Sequence, residues 1–245
     1  MGADTGWLAE NWARVRQRVD QACRDAGRNP ADVAILPVSK TFGPELIRAA
    51  VALGLHRFGE NKVQEIRDKA APLADCRIEW VVIGHLQTNK AKDVARLASE
   101  VQSLDRPELA EALDRRLQHE GRAIDVLVQV KTSAEPGKFG LPPDQLPGFL
   151  DALRDYDTLR VRGLMTLAIH SSEPAEVRGC FRLLRELRDQ AVAQGHELTR
   201  LSMGMSDDFP LAIAEGATEV RIGTAIFGNR SYPDSHYWPE APVES

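Results

Sequence analysis

Runs of strand character alternate along this chain with stretches of helical periodicity, and that alternation limits the fold more than any other feature. Strands are expected at 34–39, 55–59, 78–84, 101–104, 123–130, 160–168, 198–203 and 218–223. Between them the apolar spacing predicts helices near 44–53, 62–73, 88–98, 107–120, 143–155, 174–194 and 207–215. In the clearest of these, Val177, Phe181, Leu184, Leu187 and Ala191 share one face, with Pro174 near the start. Ile78-Glu79-Trp80-Val81-Val82-Ile83 and Val126-Leu127-Val128-Gln129-Val130 are nearly continuous apolar runs, as strands are when both faces are covered. Strand and helix in regular turn build a parallel sheet under helices. About eight such units in 245 residues fit an α/β fold of the (β/α)8 TIM-barrel type. An open doubly wound sheet is the alternative, weakened because no Gly-rich dinucleotide fingerprint follows any strand. Leu8, Trp12, Val15, Val19, Ala22 and Ala26 add an extra amphipathic N-terminal helix over 7–27. No linker divides the chain, so 1–245 reads as a single barrel domain with a Pro-rich irregular tail at 229–245.

Composition narrows the function classes. A hydrophobic share of 43% and a charged share of 27% are ordinary for a globular protein. The formal net charge of -5 does not favour nucleic acid or an anionic membrane as partner. Cys23, Cys76 and Cys180 are far apart and odd in number, so each is expected to be a small buried hydrophobe. The histidines show no metal-ligand spacing, and no metal is expected. The first residues lack the apolar core of a signal peptide, and no window of eighteen apolar residues occurs, so a cytoplasmic protein is expected.

In a barrel of this type the chemistry gathers where strands end and the following loops begin. The first strand ends in Ser39-Lys40, the second in Gly59-Glu60-Asn61 and the third in Gly84-His85-Leu86-Gln87. A lysine there either snorkels to solvent or serves as a desolvated amine nucleophile. The seventh strand runs into Ser202-Met203-Gly204-Met205-Ser206-Asp207 just before a helix, which places Ser206 and backbone N–H groups where an anion could sit. Gly223 and Thr224 add a turn and a hydroxyl at the eighth strand end. Loops seven and eight are where barrel enzymes often hold phosphate, and closure makes them neighbours of strand one. An amine facing a phosphate cradle suits either a sugar-phosphate aldolase or a pyridoxal 5′-phosphate site. Arg221, two residues before Gly223, points to the same side and could reach a ring nitrogen, which favours the second.

The segments "PVSKTF", "RFGENKVQE", "WVVIGHLQTNK", "VQSLD", "GLMTLA", "LSMGMSDDF" and "VRIGTAIFG" together resemble the pyridoxal phosphate homeostasis proteins, the YggS/PROSC family. The resemblance runs from about residue 30 to 228. It implies a barrel similar to the N-terminal domain of alanine racemase, with pyridoxal 5′-phosphate held as a Schiff base on Lys40. It implies further that Arg221 faces the pyridine nitrogen, that Ser206, Gly223 and Thr224 hold the phosphate, and that Asn61 neighbours the cofactor. Lys62 and Lys131 depart from the family's commoner Tyr and Asn at the site rim. Lys138, in the loop after strand five, is expected to be solvated.

A racemase needs acid/base groups on both faces of the α-carbon. Lys40 can serve one face. For the other, Tyr156 falls on an expected outer helix and Tyr232 and Tyr237 fall in the tail, leaving His85 as the remaining candidate. An arginine also donates to an unprotonated ring nitrogen, which makes the ring a weaker electron sink. The expectation is therefore a cofactor-binding protein without robust catalysis and with no catalytic residue assigned, for which the resemblance implies a role in vitamin B6 homeostasis. Its partners would be the small-molecule cofactor and apo-enzymes that use it. The alternative is a low-efficiency racemase, and a lone barrel suggests a monomer.

Overall fold

Apolar side chains such as Phe58, Val82, Val126, Leu201 and Val220 fill the helix-facing strand positions, so the sheet persists only where helices cover that side and its own curvature closes the other. The computed structural model describes residues 6–135 and 137–228. Its strands are β1 (Ala34–Pro37), β2 (Arg57–Glu60), β3 (Glu79–Val82), β4 (Ala98–Leu104), β5 (Ile124–Gln129), β6 (Leu159–Met165), β7 (Arg200–Ser202) and β8 (Glu219–Ile222). They pair in parallel in the order β1-β8-β7-β6-β5-β4-β3-β2. A bridge from Val38 to Gly59, with Ser39 N–H donating to Gly59 O at 3.0 Å, brings β1 to β2 and joins the ring. The expected barrel is what forms.

The helices are α1 (Gly6–Asp25), α2 (Pro44–Ala52), α3 (Val63–Ala70), α4 (Ala91–Leu97), α5 (Pro107–Glu120), α6 (Leu146–Leu153), α7 (Pro174–Ala193), α8 (Phe209–Ala214) and α9 (Thr224–Phe227). Each of β1 to β7 is followed by a covering helix, but β8 is followed only by the single turn of α9. Helix α1 fills that place. It packs on α8, α9 and α2 and buries Leu8, Val15, Val19 and Cys23. Asn11 Nδ2 donates to Ile226 O at 3.1 Å, and Arg28 just past α1 donates to Ile213 O and Ala217 O. The helix expected as an extra is thus the cover for the seam between the last strand and the first.

Register fixes what faces inward. Leu36 stands opposite Arg221 in the β1–β8 pair, and a Cβ added to Gly59 would meet the side chains of Leu36 and Ile83. Leu36, Val38, Val81 and Ile83 form a small apolar cluster of their own there, while Phe58, Trp80 and Val82 join the larger core under the helices. The three cysteines are buried and unpaired, as expected for small hydrophobes. Among the described residues no helix is long and apolar enough to cross a membrane, and no cluster of metal-ligating side chains occurs. The tail from residue 229, with Tyr232 and Tyr237, lies outside the described residues.

Candidate functional site at the barrel mouth

Lys40 continues the inward parity of Leu36 and Val38 just beyond β1, and its side chain is buried with 7% exposure. Its strand lies between β8 and β2, which sets it between the Gly223 turn on one side and Asn61 on the other. The next residue, Thr41, has φ 74°, a left-handed conformation that is an outlier for a β-branched residue. Its N–H donates to Glu65 Oε2 at 2.6 Å. Glu65 also accepts from Lys69 at 3.0 Å, and Lys69 bonds Ser39 O and Glu60 Oε1 at 3.0 and 2.8 Å. Ser39 Oγ donates to the same Glu60 oxygen at 2.6 Å. The residues on both sides of Lys40 are therefore clamped from α3 and β2. Burial raises the Glu60 carboxyl to about 7 against the pull of Lys69. Glu65 is held below its ordinary value: burial opposes this, and the Thr41 N–H and Lys69 outweigh it.

Arg221 is buried with 3% exposure, and it donates to Ser202 Oγ and to Thr166 O, each at 2.7 Å. Both acceptors are uncharged. Burial brings its guanidinium down to about 10, with Glu219 and Asp208 pulling the other way. Below it a polar column descends the barrel axis. Ser202 Oγ donates to Gln102 Oε1 at 2.7 Å, and Gln102 Nε2 donates to Glu219 Oε1 at 2.5 Å and Glu100 Oε1 at 2.7 Å. Those carboxylates meet Arg57 and Arg200 in a four-cornered arrangement with contacts of 2.5–3.0 Å. Burial alone would raise the Glu219 carboxyl, yet Arg57 and Arg200 hold it below the usual range. Sequence reasoning found Arg221 and missed this column. Its signal was available, because Glu100 and Gln102, Arg200 and Ser202, and Glu219 and Arg221 each sit two apart on strands and share a face.

The loop after β7 brings Ser206 to the mouth, half-buried. Gly204 there has φ +93°, and a Cβ on it would come within 2.6 Å of Ala212 Cβ, so the close turn admits only glycine. Met205 N–H is taken by Asp208 Oδ1 at 2.5 Å, and Arg18 of α1 lies over the Phe209 ring at 5.0 Å and reaches Ser206 O at 3.5 Å. Gly223 caps α9, whose leading residue, Thr224, is exposed at the same end. The short helix was not anticipated from "RIGTAIFG".

On the other side of the mouth, Asn61 Nδ2 and His85 Nδ1 are buried with no hydrogen-bond partner in the protein. His85 stacks on Phe139 with ring centroids 3.7 Å apart, and Asp105 Oδ2 lies 3.7 Å from its Nδ1. Burial keeps its imidazole below the usual value, ahead of the opposing pull of Asp105. Lys138 is not the solvated side chain expected. It pairs with Glu135 at 2.7 Å and donates to Ala168 O, tying the β5–α6 loop to the end of β6. Lys62 is exposed at the start of α3. Tyr156 lies in the turn ahead of β6, at the end of the barrel away from Lys40.

Known proteins with this architecture are numerous. Residues 4–231 match the family described as the alanine racemase N-terminal domain. Proteins named "Pyridoxal phosphate homeostasis protein" from Aquifex aeolicus and Pseudomonas aeruginosa are 42% and 43% identical over 224 and 225 residues. These matches cover 91% and 92% of this chain and 98% and 96% of those proteins. The structure of PipY from Synechococcus elongatus with pyridoxal phosphate bound superposes with a TM-score of 0.80 at 37% identity, covering 90% of this chain and 100% of PipY. Alanine racemase from Streptomyces coelicolor shares the fold alone, at a TM-score of 0.70 and 20% identity, over 89% of this chain and 58% of that one. With eight strands in one ring, a lysine at the end of the first and an arginine on the last, the chain belongs to the pyridoxal phosphate homeostasis protein family, built on the alanine racemase N-terminal barrel.

Proposed function

We propose that this protein binds pyridoxal 5′-phosphate at the barrel mouth and serves vitamin B6 homeostasis by holding the reactive aldehyde and yielding it to apo-enzymes. The observation that carries the reading is a buried amine, Lys40, just past β1, with a buried guanidinium, Arg221, on the adjacent β8, whose partners Ser202 and Thr166 O are uncharged. When bound, the cofactor supplies an aldehyde that condenses with an amine and a ring that withdraws electrons. Lys40 Nζ is the amine that holds it as a Schiff base. Arg221 donates toward the ring nitrogen, since a guanidinium has donors and no acceptor. Ser206 and the turn at Gly223 and Thr224 take the phosphate. The buried, unpartnered Nδ2 of Asn61 has a donor to spare for a polar atom of the ring, and the glycine-only turn at 204 leaves the loop room to approach an anion. These groups fit the cofactor.

Robust catalysis is not part of this reading. Tyr156 stands at the wrong end of the barrel, and His85 is stacked on Phe139. The alternative of a low-efficiency racemase predicts that D- and L-alanine exchange their α-proton with deuterated solvent. The binding reading predicts exchange no faster than with free pyridoxal phosphate.

The first test is the visible spectrum of wild type and Lys40→Ala after addition of pyridoxal phosphate and removal of the excess. A yellow wild type and a colourless variant are expected. A colourless wild type overturns the reading.

A further inference from the structure

Arg221 is not held by a carboxylate, and this raises the question of what aims it. The hydrogen-bond directions down the column answer it. Arginine can only donate, so Ser202 Oγ, which receives its NH1 at 2.7 Å, must spend its own hydrogen elsewhere. That hydrogen goes to Gln102 Oε1 at 2.7 Å. The Gln102 amide is thereby oriented with its NH2 toward Glu219 and Glu100, where it meets both carboxylates. Every member has one orientation that satisfies all the others. Glu100 and Glu219 are in turn neutralised by Arg57 and Arg200, so no net charge climbs the column toward the mouth. A carboxylate directly on Arg221 would cancel its charge, whereas this chain fixes the guanidinium through neutral groups and leaves its charge facing upward.

We infer that Ser202 and Gln102 are positioning residues that set the place and hydrogen-bonding direction of Arg221 for the cofactor ring, with the ionic floor of the barrel as their anchor. This rests on the reading of the mouth as a pyridoxal phosphate site. Both would act on the ligand through Arg221. Gln102 and Ser202 are fully buried, and both bond to the groups just described.

The test is equilibrium binding of pyridoxal phosphate by dialysis together with the visible spectrum. It compares wild type, Ser202→Ala, Ser202→Thr, Gln102→Leu, Arg221→Met and the Ser202→Ala/Arg221→Met double variant. Ser202→Ala and Gln102→Leu are each expected to weaken binding about tenfold, the scale of one hydrogen bond to a charged group, and to shift the visible band. Ser202→Thr, which keeps the hydroxyl, restores both. In the Arg221→Met background Ser202→Ala costs less than about twofold, because its effect passes through Arg221. The inference is overturned if Ser202→Ala binds as wild type with an unmoved band, or if its full loss persists without Arg221. Gln102→Leu strips a donor from two buried carboxylates, and if it fails to fold the Ser202 variants decide alone. A wild type that takes up no cofactor overturns the site and this inference together, whereas a wild type that binds beside unchanged variants overturns only the inference.

Discussion

The two ends of the barrel solve opposite problems with the same residue types. At the floor, Arg57, Arg200, Glu100 and Glu219 satisfy one another, with Gln102 filling the remaining acceptor positions. At the mouth, polar groups are buried and left short of partners. Glu60 Oε2, Asn61 Nδ2, His85 Nδ1, Ser103 Oγ and Ser133 Oγ have no hydrogen bond within the protein, and all lie within about four residues of the C-terminal ends of their strands. The strained Thr41 is there too. Buried polar groups are normally satisfied, and exceptions gather where a ligand completes them. The floor is built for stability and the mouth for binding.

The largest expected effect breaks the floor. Glu219→Gln keeps the shape and removes one of the two charges that neutralise Arg57 and Arg200, leaving an uncompensated buried cation. A loss of about 3 kcal/mol is expected, which for a chain of this size is a fall in Tm of roughly 10 °C. A thermal melt within 2 °C or so of wild type, on the same scale, would mean the floor is solvated enough to be dispensable.

Next is the clamp beside Lys40 at the mouth. The folded pKa of Glu60, about 7, lies above its ordinary 4.5, so between those values the folded state binds more protons than the unfolded one. Stability from this group is therefore full at low pH and is lost as pH rises through about 7. Glu60→Gln keeps an acceptor for Ser39 and Lys69 and cannot titrate. Measured against pH from about 4.5 to 8, wild type is expected to lose on the order of 2 kcal/mol more than the variant. Parallel curves for the two proteins would show that Lys69 keeps Glu60 ionised throughout.

These two effects mark what the sequence made legible. The eight strands and the strand-end position of Lys40, Asn61 and Arg221 follow from period and register, which are local properties, whereas closure of the ring was favoured only by the number of strands. The column and the clamp are not local. Gln102 meets Ser202 and Glu219 across the barrel, at separations of 100 and 117 residues, and only closure creates those contacts. The role of α1 was hidden for the same reason, since its amphipathic pattern says that it is covered but not that it stands in for the helix β8 lacks. Lys138 illustrates the limit for single side chains. Nothing in its loop sequence predicts a bond to Ala168 O.

A smaller effect tests the strain. Thr41 at φ 74° carries about 1 kcal/mol of left-handed cost that asparagine tolerates better. Thr41→Asn is expected to raise stability by about 0.5–1 kcal/mol in chemical denaturation, provided the Glu65 contact to its N–H survives. A loss instead would show that the threonine side chain contributes packing that outweighs the backbone strain.

The smallest effect on stability is expected at Asn61, and it separates the two ends most cleanly. Its Nδ2 is buried without a protein partner, so truncation removes a group whose desolvation is uncompensated in the free protein, and the packing lost is modest. Asn61→Ala should leave the melt of the cofactor-free protein within about 0.5 kcal/mol of wild type. Pyridoxal phosphate binding should nevertheless weaken about tenfold, because the donor finds its partner only in the complex. Glu219→Gln keeps an acceptor for Gln102 and with it the column that aims Arg221, so it should show the reverse, a large drop in the melt with binding preserved below its midpoint. If Asn61→Ala instead lowers the melt and leaves binding intact, the orphaned amide is a structural group, and the division of labour between floor and mouth fails at the residue where it is drawn most sharply.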